Sequence, residues 1–255
     1  MNTAPRPALL QAQALTRRFG GLTAVNRVSL ALHVGQLHAV IGTNGAGKST
    51  LINMISGELP VSEGTIALDG QDITRLPQFR RARAGIGRSY QRTTIFPQFS
   101  VLENCRLTAQ AASQQPWRLF QDAQHCRHSM PIAHEVLQVA GLSHVAQRPA
   151  GSLSHGQKRQ LEIAMCLATR PRVLLLDEPL AGMGAEESER MLSLLEHLKQ
   201  DHAILLVEHD MDAVFRVADI ITVMVNGEVI ASDLPERIRS NKDVQLAYLG
   251  EEHAH

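Results

Sequence analysis

The stretch HAVIGTNGAGKSTL, His38 to Leu51, decides the fold. Within it Gly42-Thr43-Asn44-Gly45-Ala46-Gly47-Lys48-Ser49 is a complete G-x-x-x-x-G-K-[ST] phosphate loop, followed by Thr50. The flanks suit the motif. Leu37 to Ile41 is a short, mostly apolar run fit for a buried parallel strand, and Lys48 to Ile55 can open a helix. Glycines at 42, 45 and 47 permit positive φ and a close backbone approach to a polyphosphate. The N–H groups of roughly Gly45 to Thr50 would then face the phosphates at the positive end of the helix dipole. Lys48 is expected to reach the β- and γ-phosphates and Ser49 to ligate Mg²⁺. The motif therefore predicts a nucleoside triphosphate site.

Working outward, residues 8 to 35 mix short apolar runs with turns at Gly20-Gly21 and Gly35, as in a small antiparallel sheet. Phe19, before that first turn, is either core filling or a ring that stacks on a base. Residues 64 to 73 read as a hairpin around Asp69-Gly70. The arginines at 75, 80, 81, 83, 88 and 92 read as a solvated helix face, or else as a contact for an acidic partner. Residues 92 to 167 are helix-like, interrupted near Ser113 to Pro116 and His125 to Pro131. Ile132 to Ala140 has helical periodicity and stops at Gly141. A second helix starts at Ser154, with Gln157 completing a capping box.

The α/β pattern resumes with the strand Val173 to Leu176, which runs into Asp177-Glu178-Pro179. A helix over Ala185 to Gln200 begins with Glu186-Glu187, which suits its dipole. Ala203 to Val207 is another buried strand, ending in Glu208-His209, and Asn226-Gly227 marks a last hairpin. Strands alternating with helices around a phosphate loop predict an α/β fold: a parallel sheet with its ligand at the carboxyl edge, a small antiparallel β subdomain and an inserted helical subdomain. One domain is expected over 7–250. Its core comprises 8–91 and 168–250, the helical part is 92–167, and 251–255 is a tail.

At the strand ends, Asp177 would hold Mg²⁺, through water, and Glu178 would orient and deprotonate the attacking water. His209 would reach the γ-phosphate. With 25 basic and 25 acidic residues the formal net charge is zero, which argues against a nucleic-acid partner. The cysteines at 105, 126 and 166 form no C-x-x-C pair and read as small buried hydrophobes in a reducing compartment. The sequence shows no apolar run long enough for a membrane span and no signal peptide, so a cytoplasmic protein is expected.

Leu153-Ser154-His155-Gly156-Gln157 resembles the LSGGQ signature of ATP-binding cassette (ABC) proteins, and it precedes the Leu174 to Pro179 stretch in that family's order. Gln91 matches the Q-loop, Ala181-Gly182-Met183 the D-loop, His209 the H-loop and Phe19 the aromatic A-loop position. The resemblance spans about Leu9 to Gly250. It implies ATP and Mg²⁺ as ligands, with Ser49, Gln91 and Asp177 around the metal and Glu178, His209, Lys48 and Gln91 in hydrolysis. It also implies a head-to-tail dimer, with itself or a paralogue. Ser154, Gly156 and Gln157 of one subunit would meet the nucleotide held by the phosphate loop and Phe19 of the other. His155 departs from the usual glycine.

LSHGQKRQLEIA, GIGRSYQRTTIFPQFSVLEN and the terminal AYLG are similar to ATPase subunits of branched-chain or hydrophobic amino acid importers. That likeness implies transmembrane permease partners, an indirect link to a substrate-binding protein and a seat on the inner face of the plasma membrane. A urea or short-amide importer ATPase shares several of these features, and a lipid exporter ATPase would share every nucleotide motif and differ in its coupling surface. A regulatory GTPase is disfavoured because Asn241-Lys242-Asp243 is followed by Val244 where N-K-x-D needs an acid. Ile95, Phe96 and Phe99 either cap the helical core or receive a permease helix.

Overall fold

The structure, a computed structural model, describes residues 7–90, 94–113 and 128–252, the last five through their backbone. Two sheets organise it. In the first, β1 (Leu10–Phe19) pairs antiparallel with β2 (Leu22–Leu32) and with β4 (Glu63–Leu68), which turns through Asp69-Gly70 into β5 (Gln71–Asp72). Positive φ at both turn residues gives the predicted hairpin.

The second sheet has the order β10-β9-β3-β8-β7-β6. Its strands are β3 (Gln36–Gly42), β6 (Ile86–Arg88), β7 (Val173–Asp177), β8 (Ala203–Val207), β9 (Ile220–Val225) and β10 (Glu228–Asp233). All neighbours run parallel except β9 and β10. The central strands are apolar throughout because both faces are covered. Leu37, Ala39, Ile41, Leu174, Leu176, Ile204 and Leu206 join one core. Their neighbours Val40, Val173, Leu175, Ala203, Leu205 and Val207 join the other. This period-2 split places the antiparallel sheet and α1 (Lys48–Ser56) on one side and most of the helices on the other.

The remaining helices are α2 (Gln78–Arg83), α3 (Val101–Ser113), α4 (Ser129–Val139), α5 (His155–Leu167), α6 (Ala185–Leu198), α7 (Met211–Val217), α8 (Pro235–Arg239) and α9 (Lys242–Glu252). The expected break up to Pro131 is corrected. Pro131 lies in the first turn of α4, where a missing N–H removes no helical hydrogen bond. Among the described residues, no helix is long and apolar enough to cross a membrane.

The arginine run follows its sequence reading only in part: Arg75, Arg80 and Arg83 are exposed, as on a solvated face, and two others are not. Arg81 is only 1% exposed. Its guanidinium donates to the carbonyls of Leu76, Met54, Ile55 and Thr74 at 2.7–2.9 Å, closing the C-terminal end of α1. Arg88 is likewise buried behind Ser56 and Glu58. Neither lies on a solvated face. Cys105 and Cys166 are buried free thiols, both pushed up to about 12 by burial. Cys126 and Arg92 lie outside the described residues.

Candidate functional site at the carboxyl edge of the parallel sheet

Parallel register brings three sequence-distant loops to one edge. Val40 pairs with Val207, and Val207 pairs with Asp177. The phosphate loop after β3, the Asp177-Glu178 step after β7 and the Glu208-His209 step after β8 therefore emerge side by side.

The loop's shape is set by close approaches. Gly42 has φ 152°, and a β-carbon there would lie 2.0 Å from the Met224 carbonyl oxygen. At Gly47, with φ 95°, it would lie 2.3 Å from the Ala24 carbonyl oxygen. The β9–β10 turn braces the loop from outside, since Gly227 N–H donates to the Ala46 carbonyl at 3.1 Å. Lys48 opens α1. It is buried and its ammonium donates to the carbonyls of Gly42 (2.7 Å) and Thr43 (2.9 Å). Asn44, Gly45 and Ser49 are exposed, Thr43, Gly47 and Thr50 half-buried, and Ala46 buried. A row of N–H groups at a helix start beside a fixed cation is suited to a polyphosphate.

Asp177 is 4% exposed, and its Oδ1 is buried with no hydrogen-bond partner. Its other oxygen lies 3.9 Å from Arg88 Nη2. Burial pushes this carboxyl above the usual carboxylate range; Arg88 opposes the shift, neighbouring Glu178 adds to it and Lys48 opposes it. A buried carboxylate oxygen with an unfilled lone pair is what a hard cation satisfies. Mg²⁺ commonly takes only one or two protein carboxylates beside phosphate oxygens, so the residues present fit that ion.

Glu178 follows in the left-handed region at φ 48°, which turns the chain sharply out of the strand. Its N–H donates to the Val207 carbonyl at 2.8 Å. His209 projects from the next strand end with its side chain 61% exposed, Nδ1 standing 3.7 Å from Glu208 Oε2. Glu208 is fully buried and accepts from the N–H groups of Leu180 (2.8 Å) and His209 (3.1 Å). Burial pushes its carboxyl up, against those two N–H groups. Sequence reasoning took Glu208 only as the end of a strand; the structure makes it the tie between the His209 step and the Leu180 turn.

Phe19 is 43% exposed at the tip of the β1–β2 hairpin, with the Arg17 guanidinium 4.6 Å from its ring centre. It is not core filling. That hairpin runs into Ala24 and Val25, which abut Gly47.

The signature segment sits elsewhere, at the start of α5. Ser154 and Gln157 form the capping box: the Gln157 N–H donates to Ser154 Oγ, and the Ser154 N–H donates to Gln157 Oε1, both at 3.2 Å. His155 Nε2 donates to the Ala181 carbonyl at 3.0 Å, which turns its ring toward the Ala181-Gly182 turn. Glu187, read in the sequence only as a dipole partner of its own helix, instead accepts from Ser154 Oγ at 2.7 Å and packs on Gly156.

Gln91 lies outside the described residues, but both of its flanks are held. Arg159 Nη1 donates to the Tyr90 carbonyl at 2.8 Å, and Glu162 Oε1 accepts from the Thr94 N–H at 2.9 Å. These two residues of α5 are also a buried ion pair at 3.0 Å. Beyond Thr94, Ile95 packs on the helical core, while Phe96 and Phe99 stay 50% and 45% exposed, ring centres 5.7 Å apart. Buried Asn104 pins that loop through both polar groups of Phe96.

Known proteins resemble this chain in sequence and fold. Residues 25–181 match the family described as ABC transporter. Residues 228–254 match the branched-chain amino acid ATP-binding cassette transporter family. The chain is 40% identical over 253 residues to the high-affinity branched-chain amino acid transport ATP-binding protein BraF of Pseudomonas aeruginosa, covering 95% of this chain and 98% of that one. Against LivG of Escherichia coli K12, described in the same words, identity is 39% over the same shares. The ADP conformation of an ATP-binding cassette of an ABC transporter superposes with TM-score 0.86 at 30% identity, covering 96% of this chain and 99% of that chain. Together with the phosphate loop and the strand-end carboxylates, these likenesses lead to one conclusion: the chain belongs to the ABC transporter family, as an ATP-binding cassette ATPase.

Proposed function

We propose that this ATPase drives uptake of branched-chain or other hydrophobic amino acids through partner permeases. The match of residues 228–254 to the branched-chain cassette family is the observation that carries the substrate class. In this reading residues 7–250 work as one cassette. ATP lies along Gly42 to Thr50 with its base against Phe19. Ser49, Asp177 and Gln91 would hold Mg²⁺, which would neutralise phosphate charge when bound. Lys48 leaves its loop carbonyls for the phosphate oxygens. Glu178 takes the proton of the attacking water, and His209 steadies the γ-phosphate. The signature segment Ser154 to Gln157 serves the nucleotide of a second cassette, identical or paralogous.

The exposed Phe96–Phe99 pair next to the anchored Thr94 supports a permease contact there, because paired exposed rings are costly unless covered. That contact would hold the chain at the inner face of the plasma membrane, with the substrate-binding protein reached only through the permease. The test is reconstitution of this chain with the permeases encoded beside its gene. ATP-dependent leucine uptake, lost on Phe96→Ala with Phe99→Ala while ATP binding persists, is the expected result. Uptake of urea or short amides with no leucine uptake would overturn the substrate class.

A further inference from the structure

The signature segment is engaged by a side chain of its own subunit. Ser154 has a single hydroxyl proton, and it is given to Glu187 Oε1 at 2.7 Å. Ser154 Oγ in turn accepts from the Gln157 N–H. The same carboxylate covers Gly156: a β-carbon on that glycine would lie 2.5 Å from Glu187 Cδ and 2.8 Å from each carboxylate oxygen. A negative group thus rests on the first turn of α5, where the helix dipole and free N–H groups favour an anion. Glu187 is half-buried and comes from the first turn of α6, so the contact joins two helices. Glu186 beside it pairs with Arg190 instead.

We propose that Glu187 is a built-in competitor for the partner's nucleotide, an intramolecular anion that holds the signature donors until ATP displaces it. The inference rests on the trans-sandwich reading above and adds a regulatory element to it. A γ-phosphate oxygen can receive the Ser154 proton only after the Ser154–Glu187 bond breaks. A polyphosphate approaching Gly156 also meets a like charge in contact with that glycine. The carboxylate must swing away for the sandwich to close. Dimerisation is thereby tied to a fully charged nucleotide in the partner's phosphate loop, because a weaker anion does not outcompete a carboxylate already in place.

The test uses the full chain carrying Glu178→Gln, compared with the same chain carrying Glu187→Gln or Glu187→Ala in addition. Sedimentation velocity reads the ATP concentration at which dimer forms, and a fluorescent ATP analogue reads binding to the isolated subunit. Glu187→Gln keeps an oxygen acceptor for Ser154 and removes the charge; Glu187→Ala removes both. Both are expected to form dimer at roughly tenfold lower ATP, with analogue affinity within about twofold of the parent. A merely structural role for Glu187 predicts the reverse, since losing the Ser154 contact would raise the ATP requirement. An unchanged or raised threshold in both variants overturns the inference while leaving the sandwich intact. If neither the parent nor the double variants dimerise at any ATP concentration, the sandwich itself is refuted and the competitor with it.

Discussion

Replacing Arg81 by methionine tests whether a buried arginine closes the phosphate-loop helix. Methionine keeps much of the side-chain bulk and removes every donor. Four carbonyls lose a charged partner: Leu76, Met54, Ile55 and Thr74. Met54 retains the Gly57 N–H at 3.2 Å, which leaves three seriously deprived. An orphaned buried polar group costs about 1–3 kcal/mol, and relaxation with water entry recovers part of the sum. The net loss should be about 3–5 kcal/mol. For a chain of this size that lowers the melting temperature by roughly 6–20 °C, at about 2–4 °C per kcal/mol. Equilibrium urea unfolding measures the first quantity and scanning calorimetry the second. Arg81→Lys should fall between, because an ammonium keeps the charge but lacks the fork that spans four acceptors. A loss below about 1 kcal/mol in Arg81→Met would refute the capping role.

Two further outcomes follow from the site and the core. Phe19→Ala should weaken ATP binding by about 1–3 kcal/mol, read by calorimetry, since base–aromatic stacking is worth that much; unchanged affinity would remove the ring from the site. His38 is buried against Thr222 and the Ala31 carbonyl, and burial lowers its imidazole from 6.5 to about 4. The unfolded chain takes up this proton as pH falls below 6.5, whereas the folded chain does not until about 4. Stability from this group is therefore complete above 6.5 and is lost as pH falls through that window, by about 2 kcal/mol at pH 5. His38→Gln should flatten the slope of urea midpoint against pH between 7 and 5; an unchanged slope would contradict the buried neutral ring.

What the sequence disclosed and what it hid divide along physical lines. Signals closed within a few residues were legible. The Ser154–Gln157 cap and the Asp69-Gly70 turn depend on backbone and neighbours alone, and the phosphate loop announces itself by residue types within eight positions, although Met224 and Ala24 close on its glycines from afar. So were the strands, because burial on both faces leaves an unbroken apolar run such as Val173 to Leu176. Long-range partners were not legible. Arg81 and a solvated arginine look alike in sequence; the difference is a helix end some 26 residues earlier. Glu187 reads as a helix-dipole residue until Ser154, 33 positions before it, comes into contact. Glu208 gives no local sign that a buried carboxylate will tie two turns together. Phe19 was undecided because exposure at a hairpin tip is a tertiary property.

The central claim is that Glu178 is the base for water attack at an ATP site built from the phosphate loop. Single-turnover hydrolysis of Mg·ATP by wild type and Glu178→Gln, with ATP binding measured on the same preparations, tests it most directly. The glutamine variant should bind ATP within a few-fold of wild type and hydrolyse it roughly 10²–10⁴ times more slowly. Hydrolysis at the wild-type rate by a correctly bound Glu178→Gln subunit would contradict it.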